Sequence, residues 1–225
     1  MSSDNRIVEV YFDPISPYAY LALEELAKRS NADAQVTWQV RPVVYAKLLE
    51  AHGLVGPVET EAKRRYTMLD VLRCAERSGL KIEGPPAHPF RSLSALRVLM
   101  LFAESDRALD LALAIGRAAW ADGLDLESWS VLETIARSQG FDADDLENRS
   151  NAPDNKQLLI QSTSRAFDLG VFGVPGFVYD GELFWGHDRI DHLFERLDGK
   201  FEAPSAATVQ KLVERPMAVR RPLPN

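Results

Sequence analysis

IVEVYFDPISPYAYLALEELAKR, residues 7–29, is the stretch whose reading decides the fold. Its opening, Ile7 to Phe12, is short and rich in β-branched and aromatic side chains, which predicts a strand. Ser16 followed by Pro17 fits a helix cap and first helical position: the serine oxygen can accept an orphan N–H, and proline lacks a donor where none is needed. The helix is expected to run from Pro17 to about Arg29 with Tyr18, Leu21, Ala22 and Leu26 on its inner side. Next, QVTWQV, Gln35 to Val40, predicts a second strand stopped by Arg41-Pro42. Strand, helix and strand this close together make a parallel βαβ unit, half of a small α/β domain.

From Val43 to Leu169 the apolar spacing turns helical, in Lys63 to Ser78, Ser92 to Glu104, Ala108 to Trp120, Ser128 to Ser138 and Lys156 to Leu169. Between the first two of these, Gly79 to Pro89 holds Gly84, Pro85, Pro86 and Pro89 and reads as a loop. At Gly170 the α/β character returns. FVYDGELFW reads as two strands about Asp180-Gly181, a type I′ hairpin signal, and Asp188 to Leu197 as an amphipathic helix with Gly199 just past its end. The fold class is therefore α/β. Residues 1–43 and 170–205 form a thioredoxin-like domain interrupted by a large all-helical insertion, 44–169, and 206–225 is expected to be an extended C-terminal tail.

Composition narrows the function. The chain has 225 residues, 46% of them hydrophobic, enough for a sizeable core. Its net charge of -7, with acids and bases interspersed, lacks the basic stripe that tracks a phosphate backbone, so no nucleic-acid partner is expected. MSSDNR at the start has no basic region leading into an apolar run, and no stretch suits a membrane span, so no membrane partner is expected. Cys74 is the only cysteine, which rules out an internal disulfide or a CxxC pair and points to a reducing compartment, the cytoplasm. His52, His88, His187 and His192 have no metal-ligand spacing, so no metal is expected. His52 and His187 remain candidates for acid-base work in a cleft, although a hydrogen-bonding or surface histidine is the simpler reading of each.

Chemistry is expected where the first helix begins, because its N–H groups and dipole favour negative charge. Ser16-Pro17-Tyr18-Ala19 stands where a redox member of this fold has Cys-x-x-Cys, so disulfide exchange is excluded. A serine hydroxyl there can still donate a hydrogen bond to a thiolate brought by a ligand. Taken alone, Ser16 is an ordinary cap. Two other segments change that reading: Val174-Pro175, where such folds place a cis-proline loop whose backbone can pair with a peptide-like ligand, and Gly186-His187-Asp188-Arg189. Asp188 there can hold an ammonium and Arg189 a carboxylate, as the two ends of a γ-glutamyl group require.

VYFDPISPYAYLA, AKRRYTMLDVLRCAERSGL, PFRSLSALR and GVFGVPGFVYDGELFWGHDRIDHL together span residues 7 to about 197. In that order they resemble the 2-hydroxychromene-2-carboxylate isomerases and their relatives, the kappa-class glutathione transferases, in the DsbA-like branch of thioredoxin folds. The resemblance implies glutathione as cofactor. It implies that Ser16 binds the glutathione sulfur, that Val174 before Pro175 pairs with the cysteinyl backbone, and that Asp188 and Arg189 hold the γ-glutamyl group. It also sets Lys63 near the glycine carboxylate. The implied reaction interconverts 2-hydroxychromene-2-carboxylate and trans-o-hydroxybenzylidenepyruvate in aromatic catabolism by reversible thiolate addition, in an enzyme that is often a homodimer. The alternatives are a kappa-like transferase or peroxidase, and a thioredoxin-like binding protein independent of glutathione. Three positions depart from the family: Leu54 where an asparagine touches glutathione, Gly176 where threonine often follows the cis-proline, and Arg91 where asparagine is frequent.

Overall fold

The structure is a computed structural model that describes residues 6–30 and 36–215. Strand β1 (Arg6–Phe12) and strand β2 (Val36–Pro42) flank helix α1 (Pro17–Ser30) and pair in parallel, Val8 opposite Trp38 and Val10 opposite Val40. The Gln35 end of the expected second strand lies outside the described residues. Strands β3 (Gly176–Tyr179) and β4 (Glu182–Trp185) form the hairpin, and β3 runs antiparallel to β1 with Val10 opposite Phe177. Asp180 and Gly181 both have positive φ, 51° and 76°, as the two central residues of a type I′ turn require. The sheet order β2-β1-β3-β4 thus joins two parts of the chain that the helical block separates.

Period-two alternation along β1 explains how the sheet is covered. Val8, Val10 and Phe12 point into the main core, with Leu23 and Leu26 of α1 and Phe177 and Phe184 of the hairpin. Tyr11 on the other face joins Val178 of β3 in a smaller cluster with Val43, Leu48, Ala166 and Val171. Glu9, also on that face, is buried and held by Arg41 and Arg165.

The insertion contains α2 (Tyr45–Ala51), α3 (Glu61–Ser78), α4 (Leu93–Leu101), α5 (Ala108–Trp120), α6 (Trp129–Ser138), α7 (Leu146–Asn151) and α8 (Pro153–Asp168). Helices α2 and α7 escaped the periodicity reading because seven and six residues hardly complete two turns. Its helices continue the main core rather than standing apart: Leu111, Ile115 and Ala119 of α5 pack with α1, and the buried Glu24 of α1 takes both Nε and Nη2 of Arg117.

The last two helices differ from expectation. Helix α9 is Ile190–Leu197, and the residues before it, His187–Arg189, form a separate 3-10 turn that sets the aspartate and arginine at a bend instead of on the helix. Residues 206–225 are not extended throughout: α10 occupies Ala206–Val213, started by Ser205, whose hydroxyl oxygen accepts from the Thr208 N–H. That cap, a polar residue followed by an apolar run, is a local signal that outweighs the surrounding prolines. Residues 216–225 of the expected tail lie outside the described residues.

Candidate active site

Two loops meet at the start of α1. The Ser16 hydroxyl oxygen accepts from the Ala19 N–H at 3.3 Å, which makes it the cap, and its proton is donated to the Val174 carbonyl at 3.2 Å. The Val174–Pro175 peptide is cis. The hydroxyl oxygen thus serves the helix while its proton points across to the proline loop. Of the first-turn donors, Pro17 has none, Ala19 is used by Ser16, and the Tyr18 N–H has no acceptor among the described residues. No acidic residue sits in the first turn of α1 to oppose an incoming anion.

Beside this junction lies a cleft of about 310 Å³ lined by Tyr18, Asp70, Val174, Pro175 and Trp185, with residues 186–189 closing one side. Gly186 N–H donates to the Pro175 carbonyl at 2.9 Å, which fixes the turn bearing Asp188 and Arg189 against the proline loop. Asp188 and Arg189 pair with each other at 3.2 Å and both remain about half exposed, so each can exchange its partner for a ligand group. Lys63 lies elsewhere: it is exposed on α3, seven residues before Asp70. Two helical turns place it on the same side of α3, about 10 Å along the axis, a distance an extended tripeptide can span. A larger groove of about 800 Å³, around Glu9, Arg41 and Arg165, holds none of the expected site residues.

The sequence flagged His187 as a possible cleft histidine, but not its partners: Asp70 was given no role and Tyr18 only a place on the inner side of the first helix. Tyr18 stacks on His187 with ring centroids 4.9 Å apart and donates its hydroxyl proton to Asp70 at 2.8 Å. Burial, and then the Asp70 hydrogen bond and charge, push the Tyr18 phenol well above its ordinary range, so it stays a donor. Burial pushes the His187 imidazole down, which keeps it uncharged at neutral pH against the pull of Asp188 and Asp70. His52 has a structural place instead: its Nε2 bonds the Val171 carbonyl at 3.1 Å and its ring packs on Phe167. Only the spacing of Asp70 from Lys63 on one helix face hinted at this cluster, because its other members come from distant segments.

The insertion straps the site loop from behind. Trp120 of α5 donates its indole N–H to the Pro14 carbonyl at 2.8 Å, and His88 Nε2 bonds the Ile15 carbonyl at 3.1 Å. At the proline loop, a Cβ on Gly173 would lie 2.4 Å from the Trp185 indole nitrogen, so glycine is required for that ring to cover the loop. Gly176 is also tight: a Cβ there would meet the Gly173 carbonyl and Val171 Cγ1, each at 3.2 Å. A threonine here would have to push these neighbours aside. Gly176→Thr is expected to lower stability by about 1–3 kcal/mol in urea denaturation, and a neutral result would mean the loop yields freely.

Among the described residues, no group of three or more His, Cys, Asp or Glu is arranged to hold a metal ion, and no helix is long and apolar enough to cross a membrane. The profile of the DSBA-like thioredoxin domain matches residues 7–198. Sheet order, helical insertion and the serine in place of cysteine at the α1 terminus define a DSBA-like thioredoxin domain without its redox pair. A 2-hydroxychromene-2-carboxylate isomerase of Sphingobium xenophagum is 31% identical over 195 residues, 84% of this chain and 96% of that one. The chain belongs to the 2-hydroxychromene-2-carboxylate isomerase family of DSBA-like thioredoxin domains. It is similar, too, to glutathione S-transferase kappa 1 of Caenorhabditis elegans, 25% identical over 224 residues, 91% of this chain and 96% of that one. A solved structure of 2-hydroxychromene-2-carboxylate isomerase shares the fold with a TM-score of 0.79 at 23% identity, covering 92% of this chain and 98% of that one.

Proposed function

We propose that this protein is a glutathione-dependent isomerase acting on an aromatic-catabolism intermediate of the 2-hydroxychromene-2-carboxylate type. The observation that carries the reading is the Ser16 hydroxyl at the head of α1, aimed across the cis Val174–Pro175 loop. Glutathione, when bound, would supply a thiolate nucleophile for reversible addition to a conjugated carbon of the substrate. The chain's own groups fit that ligand. Ser16 exchanges the Val174 carbonyl for sulfur as acceptor, and the Tyr18 N–H offers a second donor. Val174 presents backbone for strand-like pairing with the cysteinyl unit. Asp188 meets the γ-glutamyl ammonium, Arg189 its carboxylate, and Lys63 the far glycine carboxylate.

A free thiol has a pKa of about 8.5, so donors at a helix terminus raise the thiolate fraction at neutral pH. His187, neutral and stacked on Tyr18, is placed to relay a proton at the cleft wall. The lone Cys74 agrees with a cytoplasmic setting, and a homodimer is the assembly this reading carries.

Millimolar glutathione is expected to raise the melting temperature measurably, since ligand at about 100 times its Kd contributes roughly 2.7 kcal/mol. Isomerisation of the chromene carboxylate should then depend on added glutathione. No shift at saturating tripeptide, together with tripeptide-independent turnover, would sink the proposal. The similarity to a kappa-class transferase supports one competing reading, conjugation or peroxide reduction at the same sulfur site. Turnover of a conjugable aryl halide or a hydroperoxide in excess of isomerisation would favour it.

A further inference from the structure

Asp13 directly follows β1, is 1% exposed, and has no assigned role. Its Oδ1 accepts from the Ile15 N–H at 3.0 Å and its Oδ2 from the Tyr45 N–H of α2, also at 3.0 Å, with the Ser92 hydroxyl at the head of α4 as a further donor. The Asp13 carbonyl accepts from the Ser16 N–H at 3.2 Å, so side chain and backbone of this residue close the same turn. Among the described residues the other two buried carboxylates, Glu9 and Glu24, are each paired with arginine. Asp13 meets no cation among the described residues.

We infer that Asp13 is a positioning residue: its carboxylate ties the turn before Ser16 to the heads of α2 and α4, and so sets the hydroxyl that the ligand sulfur meets. That second clause rests on the function proposed above; the first does not. Protonation would convert one acceptor oxygen to a hydroxyl, leaving either the Ile15 or the Tyr45 N–H with a weaker acceptor. The turn is then held on one side only, and the Pro14 carbonyl bound by Trp120 shifts with it.

Burial is what makes this titration accessible. It pushes the Asp13 carboxyl up to about 6, although the Ile15, Tyr45 and Ser92 hydrogen bonds pull downward. From α2 the carboxylate faces Tyr45, whose phenol is raised by burial first and then by the charges of Asp13 and Glu59, and which is uncharged throughout this range. From α4 it faces the neutral Ser92. The loop before α4 brings His88 to the Ile15 carbonyl, its ring pushed down by burial first and by Arg64, and α5 brings the uncharged Trp120 to Pro14. The folded pKa lies above the unfolded value of about 3.9, so the protonated carboxyl stabilises the fold fully below that value. This contribution is lost as pH rises through about 6, where the carboxylate that orders the turn forms at a net cost to stability.

The test uses the full chain without ligand and follows the Trp120 indole N–H by NMR from pH 4.5 to 8, assigned through Trp120→Phe. In the wild type the resonance is expected to titrate with a midpoint near 6, and in Asp13→Asn to be flat. His88→Gln is the necessary control, because that ring lies edge-on to Trp120 at 5.1 Å. Persistence of the titration in His88→Gln supports the inference; its loss there, its survival in Asp13→Asn, or its absence from the wild type overturns it. Should Asp13→Asn not fold, the wild-type Asp13 carboxyl carbon resonance must itself titrate near 6, or the inference fails. Asp13→Asn is also expected to bind glutathione roughly tenfold more weakly at pH 7.5, through loss of one charge-assisted bond. If glutathione does not bind the wild type at all, the proposed cofactor is wrong while the NMR result still judges the turn.

Discussion

Ser16→Ala is expected to lower glutathione-dependent turnover roughly 10- to 100-fold, the range for losing a hydrogen bond to a charged group, about 1.5–3 kcal/mol. The same change should raise the pKa of the bound thiol by about one to two units, since one unit is worth about 1.4 kcal/mol. Thiolate absorbance of the glutathione complex, titrated with pH, reads this directly. The fold should lose about 1 kcal/mol with the cap to Ala19, so a modest drop in stability is part of the prediction. A mutant with reduced stability but an unshifted thiolate titration would confine Ser16 to capping.

Trp120→Ala is expected to cost about 3–5 kcal/mol of stability in urea denaturation, the largest effect of any single truncation considered. Trp120 is 1% exposed and works at three places at once. Its ring fills the core between α1 and α5, its indole N–H holds Pro14, and its carbonyl accepts from Glu83 and Gly84 of the long loop before α4. Alanine leaves a cavity and a site loop without its rear support, while the backbone contacts to residues 83 and 84 can survive. Trp120→Phe fills most of the space but cannot donate to Pro14, so it should recover most of the stability and little of the glutathione affinity. Equal recovery of both would mean that packing alone sets the loop.

The elements that position the site were legible where a local signal and a long-range need coincide. Ser16-Pro17 announces a helix start on purely local chemistry, and Asp180-Gly181 announces a turn through the positive φ both residues adopt. The cis-proline loop could be placed because its partners, a strand after it and a helix turn beyond, follow closely in sequence. Trp120 was different. Alanine- and leucine-rich α5 reads as core, and nothing in its spacing says that one indole reaches a carbonyl 106 residues away. Likewise Asp13 before a proline looks like an ordinary turn residue, and its burial becomes visible only when α2 and α4 are laid against it. Tyr18, Asp70 and His187 converge from three segments, so their stacking and hydrogen bond belong to tertiary packing that periodicity cannot report. The arginine-aspartate turn was located by its glycine, yet its separation from α9 was not, because a 3-10 turn and a helix start share the same preferences.

The bond from Ser16 to Val174 joins residues 158 positions apart, across everything the ribosome makes between them. An emerging chain therefore finishes β1 and α1 long before their complement at the proline loop exists, and the early segments must stay soluble without a β3 neighbour. Closing so long a span is slow relative to local helix formation. A chain that stops anywhere upstream of Val174 cannot form this junction however many of its helices form, so helical content alone is a poor measure of how much of a preparation has closed it.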